Sequence, residues 1–354
     1  MTEGKIDVLV VDDSSVARMI LVHLLESDTR IRVIDAVDSG QAALEFLKHR
    51  KPDVVLMDIQ MPHLDGFETT RLIMETQPVP IIICTATTDP KEVATTFRSI
   101  EAGAVACVQK PGAHEHPDHA DQVRSLLETI KLMSEVKLVR RWPRSRTKVA
   151  APSAWPAAIE AGHNGIKMIG IGASTGGPPV LQTIMAGLPK DFSVPILVVQ
   201  HIARGFLSGL VEWLNQTTDW QVHAAAHDVL PLAGHAYLAP DDHHMGVSRS
   251  GRIRLTCEER ENNLRPAVSY LFRSIAEVCG PDALGVLLSG MGKDGAAELK
   301  LMKDKGATTI VQDRESSVVH GMPGEAIELG GATHILPADK IADILITLVK
   351  RRQA

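Results

Sequence analysis

The chain has 354 residues, of which 44% are hydrophobic, and a formal net charge of −6. This length and apolar content are enough for two ordinary domains with full cores. The acidic balance argues against nucleic-acid binding, because recognition of phosphates needs clustered Lys and Arg.

Cysteine usage and the N-terminal segment favour a cytoplasmic protein. The four cysteines are far apart and form no CxxC pair, which argues against a zinc site or a redox disulfide. The start MTEGKIDVLVVDD lacks the long apolar run of a signal peptide, and no later run approaches the length of a membrane span. We therefore expect reduced thiols, a cytoplasmic location and no direct membrane insertion.

The first part of the chain alternates short β-rich runs with segments of helical period. The β-rich runs are IDVLVVDD, RVIDAV, DVVLMDI, PIIICTAT and ACVQKP. Strands that alternate with helices indicate right-handed crossovers and a parallel sheet. We predict a doubly wound α/β domain over residues 1–125.

A change in composition separates this domain from a second one. From Leu132 the segment KLVRRWPRSRTKVAAPSAWPAAIEAGHNG is basic and then rich in Ala and Pro, without an apolar period. Such a segment predicts a linker, entered from the end of a long helix and assigned to residues 126–164. Alternation then resumes, which predicts a second doubly wound parallel-sheet domain over residues 165–354. Its β-rich runs are IKMIGIGA, VPILVVQHI, HAYLAP, DALGVLLSG, ATTIVQD and THILPA.

Acidic residues cluster at strand ends in the first domain. Asp12 and Asp13 follow the first strand and Asp58 follows the third, so the three carboxylates can converge at one edge of the sheet. Crowded carboxylates with room for water suit Mg²⁺. Thr85 and Lys110 would complete the site, which then suits phosphoryl transfer to Asp58. Each acidic residue alone could be an ordinary loop residue; the set of five favours the phosphoryl site.

The segments VVDDS, LMDIQMPHLDGFE, ICTAT and QKPG resemble the signature segments of response-regulator receiver domains. The resemblance covers roughly the first 125 residues and implies a flavodoxin-like fold. It further implies phosphorylation of Asp58 by a histidine kinase, Mg²⁺ held by Asp12, Asp13 and Asp58, and switch roles for Thr85 and Lys110. Receivers usually carry an aromatic residue near the fifth strand, where this chain has Ala106 or Cys107.

A serine between glycines opens the second domain. Gly172-Ala173-Ser174-Thr175-Gly176 satisfies the G-x-S-x-G pattern of a sharp turn that exposes a serine hydroxyl between a strand and a helix. A glycine-rich turn at this place could also bind an anion through backbone N–H groups, or simply turn the chain. By itself the pattern supports a nucleophile, an anion-binding loop and a simple turn equally.

Two residues elsewhere in the domain favour a nucleophile. A serine nucleophile requires a base and a carboxylate that orients the base. His201 follows the strand VPILVVQ and Asp294 follows the strand ALGVLLSG, so both are expected at the same sheet edge as Ser174. Alone, His201 could be a surface loop histidine and Asp294 a cap for the next helix. Together, the three residues predict a Ser-His-Asp site.

The segments IGASTGGP, VVQHIARGF, HAYLAPDDHH, NNLRPAVSYLFRS and LSGMGKDGA resemble the catalytic domain of the CheB family of chemotaxis methylesterases. The resemblance covers about residues 166–350 and implies a Rossmann-like domain. It implies that Ser174 is the nucleophile, His201 the base and Asp294 the orienting carboxylate. It also implies that Met291 gives a backbone N–H to an oxyanion hole and that Thr175 helps to position the histidine.

The CheB resemblance also implies a substrate and partners. The expected substrates are glutamyl methyl esters on the cytoplasmic helices of chemoreceptors, which yield glutamate and methanol; some members also deamidate receptor glutamines. A CheA-type histidine kinase is the expected phosphodonor, and no metal or organic cofactor is expected for the esterase step. We further expect the unphosphorylated receiver to restrict access to the second domain.

Three further features of the sequence concern the substrate and the class of protein. Asn263 and Arg265 could hold an acidic receptor surface or simply begin a capped helix. The stretch IARGFLSGLVEWLNQ departs from the family pattern after the histidine. A receiver-linked transcription factor and an inactive scaffold are minor alternatives; the first needs a helix-turn-helix with a basic face.

Overall fold

The structure is a computed structural model that describes residues 5–86, 90–112, 119–136 and 165–351. Most of the predicted linker, residues 137–164, lies outside the described residues. The two predicted parallel-sheet domains are both present, on either side of that segment.

The first sheet has five strands in the order β2-β1-β3-β4-β5, and every neighbouring pair is parallel. This is the flavodoxin-like order, as predicted. Its strands are β1 (Ile6–Val11), β2 (Ile31–Val37), β3 (Val54–Met57), β4 (Ile81–Thr85) and β5 (Ala106–Gln109). Its helices are α1 (Ser15–Glu26), α2 (Gly40–His49), α3 (Gly66–Thr76), α4 (Pro90–Glu101) and α5 (His119–Ser134).

Strands β3 and β4 of this sheet are buried along their whole length, because helices cover both faces. Every residue of β3 and β4 is buried, which explains why these segments are continuous apolar runs rather than alternating ones. The last helix, α5, continues to Ser134 and therefore runs past residue 125, where we predicted the first domain to end. Its buried residues Leu126, Ile130 and Met133 belong to the core of the first domain.

The second sheet has seven strands in the order β14-β13-β12-β6-β7-β9-β8, again all parallel. Its strands are β6 (Met168–Ala173), β7 (Ile196–Gln200), β8 (Gln221–Ala224), β9 (His235–Leu238), β12 (Ala283–Leu287), β13 (Thr308–Gln312) and β14 (His334–Leu336). Its helices are α6 (Gly177–Gly187), α7 (Leu207–Thr217), α8 (Val268–Val278), α9 (Ala296–Asp304), α10 (Gly321–Glu328) and α11 (Ala338–Arg351). The strand order reverses at β6, the Rossmann-like arrangement in which ligands bind at the carboxyl edge.

Sequence reasoning missed three short strands of the second domain. Besides β8, the structure contains an antiparallel pair, β10 (His244–Val247) and β11 (Ile253–Thr256). Each of the three has only four residues, and Gly246 interrupts the apolar pattern of β10. These strands are fixed by pairing and packing against the rest of the domain, which short local patterns do not encode.

Helix α4 of the first domain packs on α7 of the second. The rings of Phe97 and Trp213 are stacked with centroids 5.6 Å apart, and both side chains are buried. The Glu101 carboxylate accepts hydrogen bonds from Trp213 Nε1 and Gln182 Nε2, each at 3.1 Å. Stacked aromatic rings contribute about 1 kcal/mol beyond the area they bury, so this contact stabilises the packing of α4 on α7.

None of the helices in the described part of the chain is both long enough and apolar enough to span a membrane.

A glycine in β6 is required because α8 lies directly against the strand. A Cβ added at Gly172 would lie 2.3 Å from Val268 Cγ1 and 3.0 Å from Leu287 Cδ1. We predict that Gly172→Ala lowers the free energy of unfolding of the second domain by about 1–3 kcal/mol, measured by denaturant titration.

The matched control for this variant is Gly324→Ala in α10. A Cβ there would lie 3.7 Å from the nearest side-chain atom, an ordinary contact. Because alanine restricts the unfolded chain, this variant should be neutral or more stable by up to about 1 kcal/mol. Equal free energies of unfolding for Gly172→Ala and Gly324→Ala would contradict the packing explanation.

Candidate active site

The Asp294 carboxylate is buried, with 2% of its side chain exposed, and lies at the N-terminus of α8. Oδ2 accepts a hydrogen bond from the backbone N–H of Val268 at 2.6 Å, and Oδ1 accepts one from that of Ser269 at 3.1 Å. These are the first N–H groups of α8, which its own N-cap residue, Ala267, leaves without a side-chain cap. Asp294 therefore caps α8, not the helix α9 that follows it in sequence, and the helix dipole stabilises its charge.

Two further polar side chains complete the surroundings of Asp294. Ser269 Oγ donates to Oδ1 at 2.6 Å and Asn262 Nδ2 donates to the same oxygen at 3.0 Å. Burial alone would raise the pKa of Asp294, but hydrogen bonds from His201, Ser269 and Val268 lower it to about 2. The carboxylate is therefore ionised at neutral pH although it is almost wholly buried.

His201 is oriented by this carboxylate. Its Nε2 lies 2.9 Å from Asp294 Oδ2, and 11% of its side chain is exposed. Because an ionised carboxylate only accepts hydrogen bonds, Nε2 carries the proton and donates a hydrogen bond to Asp294. In the neutral ring the lone pair is then on Nδ1, so Nδ1 is the nitrogen that can act as a base.

The backbones of Ser174 and His201 are joined at the edge of the sheet. They follow the adjacent strands β6 and β7, and the His201 N–H donates to the Ala173 carbonyl at 2.9 Å. The buried Gln200 amide donates from Nε2 to the carbonyls of Ser174 and His201, both at 2.8 Å. Asp294 follows β12, the neighbour of β6 on the other side, so all three predicted residues lie at one edge.

The turn that carries Ser174 makes contacts of its own. Within the described ranges, no hydrogen bond joins the hydroxyl of Ser174 or of Thr175 to the His201 ring. Thr175 instead accepts a hydrogen bond at its carbonyl from Ser289 Oγ at 2.8 Å. Met291, the predicted oxyanion residue, has 46% of its surface exposed. The preceding residue, Gly290, lies against the serine, since a Cβ added there would be 2.7 Å from Ser174 Cβ. The Met291 segment therefore borders the serine.

Sequence reasoning missed Gln200, Ser269 and Asn262, which hold the three predicted residues in place. A glutamine that ends the apolar run ILVVQ is a usable signal, because a buried amide must find partners. Nothing local marks Ser269 or Asn262, which meet Asp294 only through tertiary packing. Arg265 donates to the Cys257 and Glu258 carbonyls, each at 3.0 Å, and to Asp242 at 3.1 Å.

A second cluster lies at the carboxyl edge of the first sheet. Carboxylate oxygens of Asp12, Asp13 and Asp58 all lie within 4.8 Å of one another, as predicted from their places after β1 and β3. Lys110 Nζ lies 2.7 Å from Asp12 Oδ2 and 3.0 Å from Asp58 Oδ2. The pKa of Asp58 is raised, chiefly by burial and also by Asp12, against the opposing effect of Lys110. Three hard oxygen donors crowded in this way fit a divalent cation such as Mg²⁺.

Thr85 completes the edge of the first site. It is the last residue of β4, is 2% exposed, and its carbonyl accepts a hydrogen bond from the Lys110 N–H at 2.8 Å. The five predicted residues of the first domain therefore lie at one edge of one sheet.

The low pKa of Asp294 makes a prediction about stability and pH. Because its folded pKa of about 2 is below the ordinary 3.8, ionised Asp294 stabilises the fold above pH 3.8. That contribution is lost as the pH falls through about 2. We predict that Asp294→Asn lowers the free energy of unfolding by about 2 kcal/mol at neutral pH. The difference from wild type should shrink as the pH falls from 3.8 to about 2, in denaturant titrations at stepped pH.

The control is Asp219→Asn, which removes an exposed carboxylate paired with Lys190 at 3.0 Å. It should cost less than about 1 kcal/mol. A difference between wild type and Asp294→Asn that stays constant down to pH 2 would show that the charge of Asp294 contributes nothing to stability.

Comparisons with known proteins identify the family of each domain. The profile of the CheB methylesterase family matches residues 169–345, and that of the response regulator receiver domain matches residues 8–127.

A protein-glutamate methylesterase/protein-glutamine glutaminase of Nitrosospira multiformis is 51% identical over 98% of both chains. A protein of the same description from Geobacter metallireducens is 50% identical over 98% of this chain and 100% of its own. The crystal structure of the Thermotoga maritima CheB methylesterase catalytic domain is 41% identical, with a TM-score of 0.50, over 52% of this chain and 98% of that domain. The chain therefore belongs to the CheB methylesterase family and is an ester hydrolase with an N-terminal receiver domain.

Proposed function

We propose that the chain hydrolyses glutamyl methyl esters on the cytoplasmic helices of chemoreceptors, under the control of phosphorylation at Asp58. The observation that carries this proposal is the buried, ionised Asp294 that fixes His201 beside the strand end bearing Ser174. A Ser-His-Asp arrangement of this kind serves acyl transfer. The relatives named above are methylesterases and glutaminases, so the acyl group is a glutamyl side chain.

The reaction proceeds in two steps. Ser174 Oγ attacks the ester carbonyl carbon while His201 Nδ1 takes the hydroxyl proton. The tetrahedral intermediate then collapses, and the bond between the acyl carbon and the methoxy oxygen breaks. The methoxy oxygen takes the proton from His201, methanol departs, and Ser174 remains acylated. Water then attacks the acyl carbonyl with His201 as base, and the serine is released with the product glutamate. The same steps on a glutamine side chain would release ammonia, the glutaminase reaction.

The negative charge of the tetrahedral intermediate needs hydrogen-bond donors. We assign this role to the backbone N–H of Met291, which borders Ser174 through Gly290. Within the described residues, this N–H donates to no protein acceptor. A preorganised donor of this kind is worth about 3–4 kcal/mol in the transition state. The Thr175 carbonyl accepts a hydrogen bond from Ser289 Oγ, which supports the turn that carries the serine. No metal is needed for these steps.

The first domain supplies the regulation. Asp58 is the proposed phosphoacceptor, Asp12, Asp13 and Asp58 would hold Mg²⁺, and a CheA-type histidine kinase is the proposed phosphodonor. Mg²⁺ would supply charge neutralisation for the phosphoryl group. Lys110, paired with both Asp12 and Asp58, would move to the phosphoryl oxygens, and Thr85 would respond to the same group.

Contacts between the domains support a gating role for the receiver. Val319 packs in the same buried cluster as Val105 and Leu126 of the receiver, and its carbonyl accepts the Gly290 N–H at 3.0 Å. The receiver thus contacts the segment next to Ser174 and Met291. Phosphorylation that weakens this contact would shift the population toward an arrangement open to a receptor helix.

The central test is methanol release from methylated receptor membranes, with and without a small-molecule phosphodonor. Wild type should release methanol faster with the donor, because phosphorylation favours the open arrangement. Asp58→Asn should keep the basal rate and lose the response. Ser174→Ala should lose activity by a factor of about 10⁴ or more, because the nucleophile is absent, while its unfolding curve stays that of wild type. Substantial turnover by Ser174→Ala would remove the serine from its role.

The stacked contact between the domains makes a separate prediction. Phe97→Ala removes the ring that packs on Trp213 and should weaken the closed arrangement, so the basal rate rises several-fold and activation by the donor falls. The control is Phe46→Ala, which truncates an aromatic residue of the same domain on α2. A basal rate that stays at the wild-type level in Phe97→Ala would contradict gating through α4.

A further inference from the structure

The turn between β9 and β10 carries two consecutive aspartates beside the loop that follows His201. The second, Asp242, has a backbone φ of 60°, in the left-handed region that favours glycine. A residue with a side chain is strained in this region, whereas glycine is not. The carboxylate therefore occupies a position whose backbone conformation favours glycine.

The Asp242 carboxylate joins two segments that are distant in sequence. Oδ2 accepts a hydrogen bond from Arg204 Nη2 at 2.9 Å, and Oδ1 accepts one from Arg265 Nη2 at 3.1 Å. Arg204 is on the loop after His201, and Arg265 is on the segment that leads into α8. The hydrogen bond from Arg265 lowers the pKa of Asp242, so the bridge is ionised at neutral pH.

Neighbouring residues of the turn make the same connection. The Gly205 N–H donates to Asp241 Oδ2 at 2.7 Å, on the side of the histidine loop. On the other side, the fully buried His244 accepts the Ala267 N–H at Nδ1, 3.3 Å away, and donates from Nε2 to the Glu259 carbonyl at 2.9 Å. Ala267 directly precedes the two N–H groups that bind Asp294. The turn is thus fastened to the loop after His201 and to the site that holds Asp294.

We propose that Asp242 is a positioning residue for hydrolysis: by tying Arg204 to Arg265, it fixes the separation of His201 from the Asp294 site at the start of α8. This inference rests on the proposed function, because it takes His201 as the base. Asp242 does not touch the reacting atoms. Its loss should slow turnover rather than weaken receptor binding, because a displaced base transfers protons less efficiently.

The test is Asp242→Gly, for which activity should fall without a matching loss of stability. Glycine relieves the left-handed backbone, which offsets the lost hydrogen bonds, so the free energy of unfolding should stay near the wild-type value. The bridge is lost, so kcat should fall by roughly tenfold or more while KM changes little. A merely structural role would lower stability and activity together. Asp242→Asn, which keeps a side-chain acceptor but not the charge, should have a kcat between those of wild type and Asp242→Gly.

The matched control is Asp228→Gly. Asp228 is also an aspartate in the left-handed region, with φ of 61°, but its side chain is 72% exposed and lies 3.9 Å from its partner Arg252. This variant should not lose stability and should keep a wild-type kcat.

A double-mutant cycle tests the bridge itself. Arg204→Gln should lower kcat, and adding Asp242→Gly should cost no more than Asp242→Gly alone, because both changes break one connection. Additive losses, a wild-type kcat in Asp242→Gly, or an effect on KM alone would overturn the proposal.

All variants are assayed on methylated receptor membranes and on a small aryl acetate. If wild type hydrolyses only the aryl ester, the receptor assignment fails, and the effect of Asp242→Gly on that ester still decides the positioning role. If wild type hydrolyses neither ester, both the proposed function and this inference fail.

Discussion

The second domain depends on one buried charge. Asp294 is ionised although only 2% of its side chain is exposed. Its hydrogen bonds come from the first N–H groups of α8 and from the side chains of Ser269 and Asn262. Without these donors, burial would raise its pKa and favour the neutral carboxylic acid. A neutral acid would no longer stabilise a protonated His201. The capping of α8 and the orientation of the base are therefore the same set of contacts.

The strand order places the remaining residues around this charge. Because β6 lies between β7 and β12, the residues that follow these strands meet at the point where the order of the sheet reverses. Gln200 then links the backbones of Ser174 and His201, and close packing at Gly172 lets α8 approach β6. The receiver is arranged in the same way: its carboxylates lie where the strand order reverses, between β1 and β3. In both domains, topology brings together side chains that are far apart in sequence.

The sequence predicts both sheets because their strands are buried, continuous apolar runs separated by helical segments. It also places Ser174, His201 and Asp294 after their strands, since strand ends are visible in the pattern. It does not reveal Ser269 or Asn262, whose contacts with Asp294 exist only after α8 has packed. For the same reason it could treat Asp294 as a cap for the following helix, when the carboxylate caps α8 instead. Short strands such as β10 lack a local signal for pairing.

The measurement closest to this central interaction is the ¹⁵N spectrum of the histidine side chains in the full chain, with His201 assigned by comparison with His201→Gln. In the neutral ring, we expect a protonated Nε2 in a strong hydrogen bond and an unprotonated Nδ1, because Asp294 accepts from Nε2 at 2.9 Å. Asp294→Asn should change this signal. A neutral ring with its proton on Nδ1 would contradict the assignment of that nitrogen as the base, and with it the role given to the buried carboxylate.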